Sequence, residues 1–314
     1  MEKHVPVLLK ETIDALAVKD GGRYVDGTLG RAGHTREILG RGGRVLGIDR
    51  DEQALKEVKN LAAGESWWEN LTVAHGNHGD LKRIANENGW KEVDGVLLDL
   101  GVSSPQLDEA GRGFSFFRDG PLDMRMDRSS GLTAADLVNE FSAERLEEIF
   151  RERGEEPQAR RIAKAIVIER DPRPFRTTLE LANFIERILG RRGPHHPATR
   201  VFQALRMEVN DEIGELERAL DGALEILKVG GRLAVITFES LTDRIVKRFF
   251  AAHTGKMISL QQGGERWEGL RPRVRPVTRK AVVAGEDEIK VNRRSRSAKL
   301  RVIEKTEENN EEKS

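Results

Sequence analysis

The chain has 314 residues, with 53 lysines and arginines against 53 aspartates and glutamates, and no cysteine. That length suits one large domain or two smaller ones. The missing cysteine excludes disulfides, thiolate metal sites and cysteine nucleophiles, and zero formal charge excludes a global field, so any polyanion must be met by a local patch.

The N-terminus, Met1 to Glu11, lacks the long apolar core of a signal peptide, and no apolar run approaches membrane-spanning length. The expectation is a cytoplasmic protein that does not contact a membrane. From 23 to 99, apolar runs at 23–26, 44–48, 71–74 and 93–98 alternate with helical patterns at about 33–40, 51–63 and 79–89. This rhythm predicts a parallel sheet covered by helices on both faces, with a ligand at the C-terminal ends of the strands. The first run ends at Asp26 and turns into Gly27-Thr-Leu-Gly-Arg-Ala-Gly-His34 before a helix. A strand, a glycine turn and a helix N-terminus cradle the polar part of a nucleotide-like ligand. Asp49 closes the second run, 23 residues after Asp26, near the spacing of a carboxylate that binds ribose hydroxyls. His75, Asn77 and His78 follow the third run and should reach the same edge.

The fourth run ends at Asp99, and Ser103-Ser-Pro-Gln106 follows it. Enzymes that methylate exocyclic base amines carry a short polar, proline-containing segment here. An aromatic amine is a poor nucleophile because its lone pair is delocalised into the ring. Acceptors on its hydrogens favour the pyramidal form, and backbone carbonyls of a rigid proline loop or a carboxylate such as Asp99 can supply them. Residues 101–128 then read as a long structured loop. Phe114, Phe116, Phe117, Met124 and Met126 suit both base stacking and a core, most of the aromatics belonging to the core. Helical patterns at 133–140, 143–150, 158–170 and 177–189 predict an all-helical insertion rich in arginine. Residues 199–228 read as one long helix with Gly214 as a candidate break, 232–238 as the fifth strand and 243–250 as a further helix. Residues 254–280 read as irregular and basic, and 297–303 as a last edge strand, with further cations at Arg293, Arg294, Arg296, Lys299 and Arg301. His195, His196 and Asp211 have no recognisable metal-ligand spacing, so no metal is assigned.

These strings resemble the bacterial ribosomal RNA small subunit methyltransferase H family, also called MraW. The likeness runs through His4-Val-Pro-Val-Leu-Leu9, Asp26 to His34, Leu98 to Asp108, Arg112-Gly-Phe-Ser-Phe116, Asp119 to Asp127, His196 to Arg206 and Arg294 to Arg301. It implies an α/β, Rossmann-like class I S-adenosylmethionine-dependent methyltransferase with an inserted all-helical domain. The expected boundaries are a core first part at 1–107, an RNA-recognition insertion at 108–198, a core second part at 199–304 and a disordered tail at 305–314. The implied reaction methylates the exocyclic N4 amine of a cytidine in 16S rRNA of the small ribosomal subunit. The donor contacts fall on Asp26, Gly30, Ala32, Gly33, His34, Asp49, His78, Asp99 and Gln106. Asp99, Ser103, Ser104 and Pro105 are the candidates at the amine, Asp99 standing open between the adenine side and the amine. Arg112, Asp123, Arg125, Arg200 and Arg206 are the candidates for the RNA, and a homodimer is compatible with the resemblance. Three positions depart from the family pattern: Ala32 for glycine, His78 for phenylalanine and Glu239 for histidine. Two other readings are a methyltransferase acting on another nucleic-acid amine and a non-catalytic, donor-binding ribosome assembly factor.

Overall fold

The structure, a computed structural model, describes residues 6–62, 66–101, 109–129, 131–191, 193, 195–259, 265–268 and 272–306. The candidates Ser103, Ser104, Pro105 and Gln106, and the tail beyond 306, lie outside the described residues. Two compact units are present, one of Met1–Gly101 with Gly214–Ser314 and the other Val102–Ile213.

The first unit is built on β1 (Arg23–Asp26), β2 (Arg44–Asp49), β3 (Leu71–His75), β4 (Val93–Leu100) and β5 (Leu227–Thr237). It is completed by β8 (Val274–Pro276), β9 (Val282–Val283) and β10 (Lys299–Lys305). The sheet order is β3-β2-β1-β4-β5-β10-β8, with β9 also paired to β10. The first five strands run parallel, and β10 is antiparallel to both β5 and β8. Alternate side chains divide between two faces, as a strand's period of two requires. Val25, Leu46, Ile48, Val96 and Leu98 pack with Leu81 and Ile84 of α4 (Leu81–Glu87) and Leu220 and Leu224 of α10 (Glu212–Ile226). Tyr24, Val45, Leu97 and Ala234 pack on the other face. Their partners are Ile13 and Leu16 of α1 (Leu9–Leu16), Ile38 of α2 (Gly33–Gly40) and Val58 of α3 (Glu52–Ala62). After β3 the chain crosses to β4 on the far side of β1, so the C-terminal ends of β1 and β4 flank the point where the strand order reverses.

The second unit holds α5 (Ala134–Glu140), α6 (Ala143–Glu152), α7 (Ala159–Arg170), α8 (Thr178–Leu189) and α9 (Thr199–Val209). Thr133 with Asp136, and Thr177 with Glu180, form reciprocal capping boxes that start α5 and α8. Phe150, Ile162, Ile166, Leu181, Ile185 and Leu205 make its core, into which the loop before α5 drops Phe114, Leu122, Met124 and Met126.

Three expectations are corrected. The single helix expected over 199–228 is α9 and α10, separated at Asn210 and Asp211. Asn210 leaves the helical register to donate to Met124 O and accept from Met126 N–H, both at 2.8 Å, and Asp211 has φ 45°. The stretch 254–280 is not irregular throughout: β6 (Lys256–Ser259) pairs β7 (Glu265–Glu268), and β8 joins the main sheet. Finally, β10 is no edge strand, since β5 flanks it on one side and β8 and β9 on the other.

Candidate active site

The turn after β1 is held by bonds that join three strands. Gly27 N–H donates to Leu97 O at 2.9 Å and Leu29 N–H to Ile48 O at 3.0 Å. Asp26 is 2% exposed and accepts from Thr28 N–H at 3.1 Å and from Thr35 Oγ1–H at 2.7 Å. Burial raises its pKa above the usual carboxylate range, and the Thr35 hydroxyl opposes that shift. Asp26 thus ties the turn to the start of α2, and its Oδ2 retains a further lone pair. Thr28 Oγ1 in turn accepts from Asp99 N–H at 2.7 Å, tying the end of β1 to the end of β4.

Close side-chain neighbours explain why two of these positions are glycines. A Cβ on Gly27 would lie 2.7 Å from Leu98 Cδ2, and a Cβ on Gly33 would enter the Pro6 ring. Ala32 keeps the left-handed conformation, φ 58° and ψ 32°, as N-cap of α2. That conformation costs an L-residue about 1–2 kcal/mol, so the alanine departure keeps the backbone path of the turn with local strain.

Asp49 sits at the end of β2. Its Oδ2 accepts from Gly30 N–H and its Oδ1 from Asp51 N–H, each at 2.8 Å. Burial raises its pKa, and the two backbone donors limit the rise. Each oxygen retains a further lone pair for a hydroxyl.

His34, 5% exposed, opens α2. Its Nε2 lies 3.0 Å from Val7 O. A carbonyl only accepts, so Nε2 carries the hydrogen there. The other ring nitrogen, Nδ1, lies 3.8 Å from Asp99 Oδ2. Asp99 is 27% exposed as a side chain, yet its Oδ1 is sealed from solvent and, among the described residues, has no hydrogen-bond partner. Burial pushes its pKa up to about 6, with His34 opposing the rise and Asp26 adding to it.

His78 follows β3 in the short 3-10 turn His78–Asp80, which Asn77 caps by accepting from Gly79 N–H. Burial, with the cations Arg50 and Arg218 adding to it, lowers the His78 pKa to about 3. The ring is neutral near pH 7, and its buried Nε2 has no hydrogen-bond partner among the described residues. Asp26, Gly30, Ala32, Gly33, His34, Asp49, His78 and Asp99 thus all lie on the C-terminal ends of β1–β4 or the turns that follow them. Thr28, Thr35 and Val7 were missed by sequence reasoning. Thr28 had a local signal in Asp-Gly-Thr, whereas Val7 acts through a tertiary bond.

The candidates in the second unit have other surroundings. Arg112 is buried and donates to Met126 O at 2.9 Å. Arg125 grips Asp123 through two bonds of 2.8 and 3.1 Å, and this pair with Arg128 holds the Asp123 carboxyl low despite partial burial. Arg206 is buried and pairs with Glu212 at 2.8 and 2.9 Å. Arg200 is exposed and donates to Glu155 O at 3.1 Å. The side chain with the most distinctive exposure is Phe117, 85% exposed and 5.2 Å between centroids from Phe116. Phe116 in turn contacts His196 and Phe202 at 4.6 and 4.8 Å. Among the described residues, no helix is long and apolar enough to cross a membrane, and no group of three or more ligating side chains could hold a metal ion.

A family model described as the MraW methylase family matches residues 1–306. Curated relatives named ribosomal RNA small subunit methyltransferase H match over nearly their whole length. The one from Carboxydothermus hydrogenoformans is 50% identical over 306 residues, 96% of this chain and 97% of the relative. That from Symbiobacterium thermophilum is 48% identical over 316 residues, 99% of each. That from Parvibaculum lavamentivorans is 49% identical over 306 residues, 96% of this chain and 89% of the relative.

Proposed function

Since this chain belongs to the MraW methylase family, we propose that it transfers the methyl group of S-adenosylmethionine to the exocyclic N4 amine of a cytidine in 16S rRNA. It is an S-adenosylmethionine-dependent methyltransferase acting on small-subunit rRNA; the cytidine N4 atom and the roles of individual residues are the proposed part. The observation that carries the residue roles is the buried Oδ1 of Asp99 beside the glycine turn, unpartnered among the described residues. Leaving a buried carboxylate oxygen unpaired costs more than about 1–3 kcal/mol, so the site is built for a polar group from a ligand.

The residues fit that donor. Asp49 has lone pairs left for the ribose hydroxyls, and the turn at 27–33 admits the donor close to backbone. His78 offers a neutral ring face to adenine and sets no second cation near the sulfonium. The bound donor supplies the electrophilic methyl group and its own neutral leaving group, so no metal or covalent enzyme intermediate is required. The protein positions the partners, which can contribute several powers of ten. Asp99 offers Oδ1 to an amine hydrogen, aiming the nitrogen lone pair, and His34 Nδ1 faces Oδ2 of the same carboxylate. The Ser103–Gln106 segment, outside the described residues, is proposed to complete the acceptors on the amine. The target base leaves its stack to be reached, and the exposed Phe117 offers a face on which an rRNA base can stack. A cytoplasmic location, read by cell fractionation, belongs to the same proposal, and light scattering distinguishes a monomer from a homodimer.

The test incubates the protein with labelled S-adenosylmethionine and small subunits lacking the modification, then digests the RNA and identifies the labelled nucleoside by mass spectrometry. N4-methylcytidine is the expected product. Label in another nucleoside overturns the amine assignment, and no label overturns the reaction.

A further inference from the structure

We propose that a basic cleft on the far side of the methyltransferase unit is a second docking site for the rRNA strand, gripping its phosphates outside the donor pocket. The inference rests on the rRNA reading above and adds a surface to it. The cleft has a volume of about 440 Å³ and lies between α11 (Ser240–Thr254) and the β10–β8 edge of the sheet. Its floor is Phe250, Pro276 and Ile303, and its cations are Lys247, Arg279 and Arg301.

Three separate stretches of sequence deliver these cations to one place. Lys247 comes from α11, Arg279 from the turn after β8 and Arg301 from β10. The segments that carry Arg279 and Arg301 are far apart in the sequence, and the antiparallel pairing of β8 with β10 brings them side by side. The buried Asp243 at the start of α11 fixes the wall. It accepts from Arg301 at 2.7 and 3.1 Å and from Lys299 at 3.2 Å, one carboxylate for two cations.

Lys247 and Arg279 are exposed and, among the described residues, have no acidic partner. Some exposed cations on the same chain are neutralised locally, Lys56 by Glu52, Arg83 by Asp80 and Glu87, Arg187 by Glu169. On a chain with no net charge, a cleft with unanswered cations and an apolar floor complements a polyanion whose bases also need a dry surface. β5 lies between β4 and the cleft, whose near wall is β10, so the strand gripped here flanks the target nucleotide.

The experiment compares wild type, Lys247→Ala/Arg279→Ala and a control, Lys56→Ala/Lys59→Ala on α3. Each is titrated against protein-free 16S rRNA and against unmodified small subunits over a salt series, with donor Kd and melting temperature as fold controls. Two lost contacts to a single strand should make the slope of log K against log salt shallower by about 1.4 and weaken binding roughly 25-fold near 0.1 M salt. The acceptor KM should rise likewise, with kcat at saturation, donor Kd and melting temperature unchanged. Unaltered slope and KM overturn the site while wild-type methylation upholds the reaction. An equal loss in the control overturns it as a general charge effect. Loss with subunits but not with free rRNA overturns it in favour of a protein occupant. If wild type methylates nothing, the rRNA reaction fails and the binding slopes alone decide the cleft.

Discussion

Asp49→Asn separates two tasks of one side chain. The carboxylate accepts Gly30 N–H and Asp51 N–H on different oxygens, each at 2.8 Å. An amide keeps one oxygen, so its NH2 group must face one of these N–H groups, donor against donor. Losing that bond and stranding an N–H costs about 1–3 kcal/mol of stability. On the ligand side, a hydrogen bond to a charged group is worth about 1.5–3 kcal/mol and a neutral one about 0.5–1.5. Two ribose hydroxyls would then lose about 2–3 kcal/mol together, a rise in donor Kd of roughly 30- to 150-fold. Denaturant melts without ligand read the first quantity, and calorimetric titration with S-adenosylhomocysteine reads the second. Lowered stability with unchanged Kd would remove Asp49 from the ligand. Unchanged stability would refute its role as a clamp on the turn.

Other substitutions test neighbouring parts of the argument. The Asp99 carboxyl should titrate near pH 6. Because burial raises its folded pKa above 3.8, the ionised form is the destabilised one. Its contribution to stability is intact below about pH 3.8 and is lost as pH rises towards 6. The catalytic rate needs the ionised form and should rise through pH 6; Asp99→Asn should lower it and remove both inflections, and a retained rate inflection would exonerate Asp99. Gly33→Ala drives a methyl into the Pro6 ring, so it should cost about 1–3 kcal/mol and weaken donor binding by displacing the Pro6–Val7 segment; an unchanged melt and Kd would sink this reading. Phe117→Ala should leave the melting temperature alone, since the ring is 85% exposed, and raise the acceptor KM roughly 5- to 150-fold if one base stacks on it. An unaltered KM would dismiss that contact.

Period-two and period-3.6 patterns made the strands to Asp99 and the helices of the insertion legible, because each buries one face or two against local neighbours. The internal position of β10 was not legible: it depends on β8, a strand of three residues containing Pro276, too short to show a period. The break at Asn210 was hidden because its cause is a pair of bonds to the backbone of Met124 and Met126, over 80 residues earlier. The glycine turn and Asp49 were readable as a local motif with a spacing. Arg112 and Arg206 read in the sequence as phosphate ligands, and their burial and their bonds to Met126 O and Glu212 were not legible there.

The insertion also imposes an order on biosynthesis. Every described donor-pocket residue lies within the first 99, but β4 acquires its second neighbour only when β5 begins at Leu227. At about 5–20 residues per second, the nascent chain carries the open edge of β4 for roughly 6–25 s. That is ample time for a helical unit with a local core to fold first. The pocket written first is therefore finished among the last, when Lys299–Lys305 closes over β5. A chain halted before β10 would present β5 as an unpaired edge, a template for aggregation rather than a weaker enzyme.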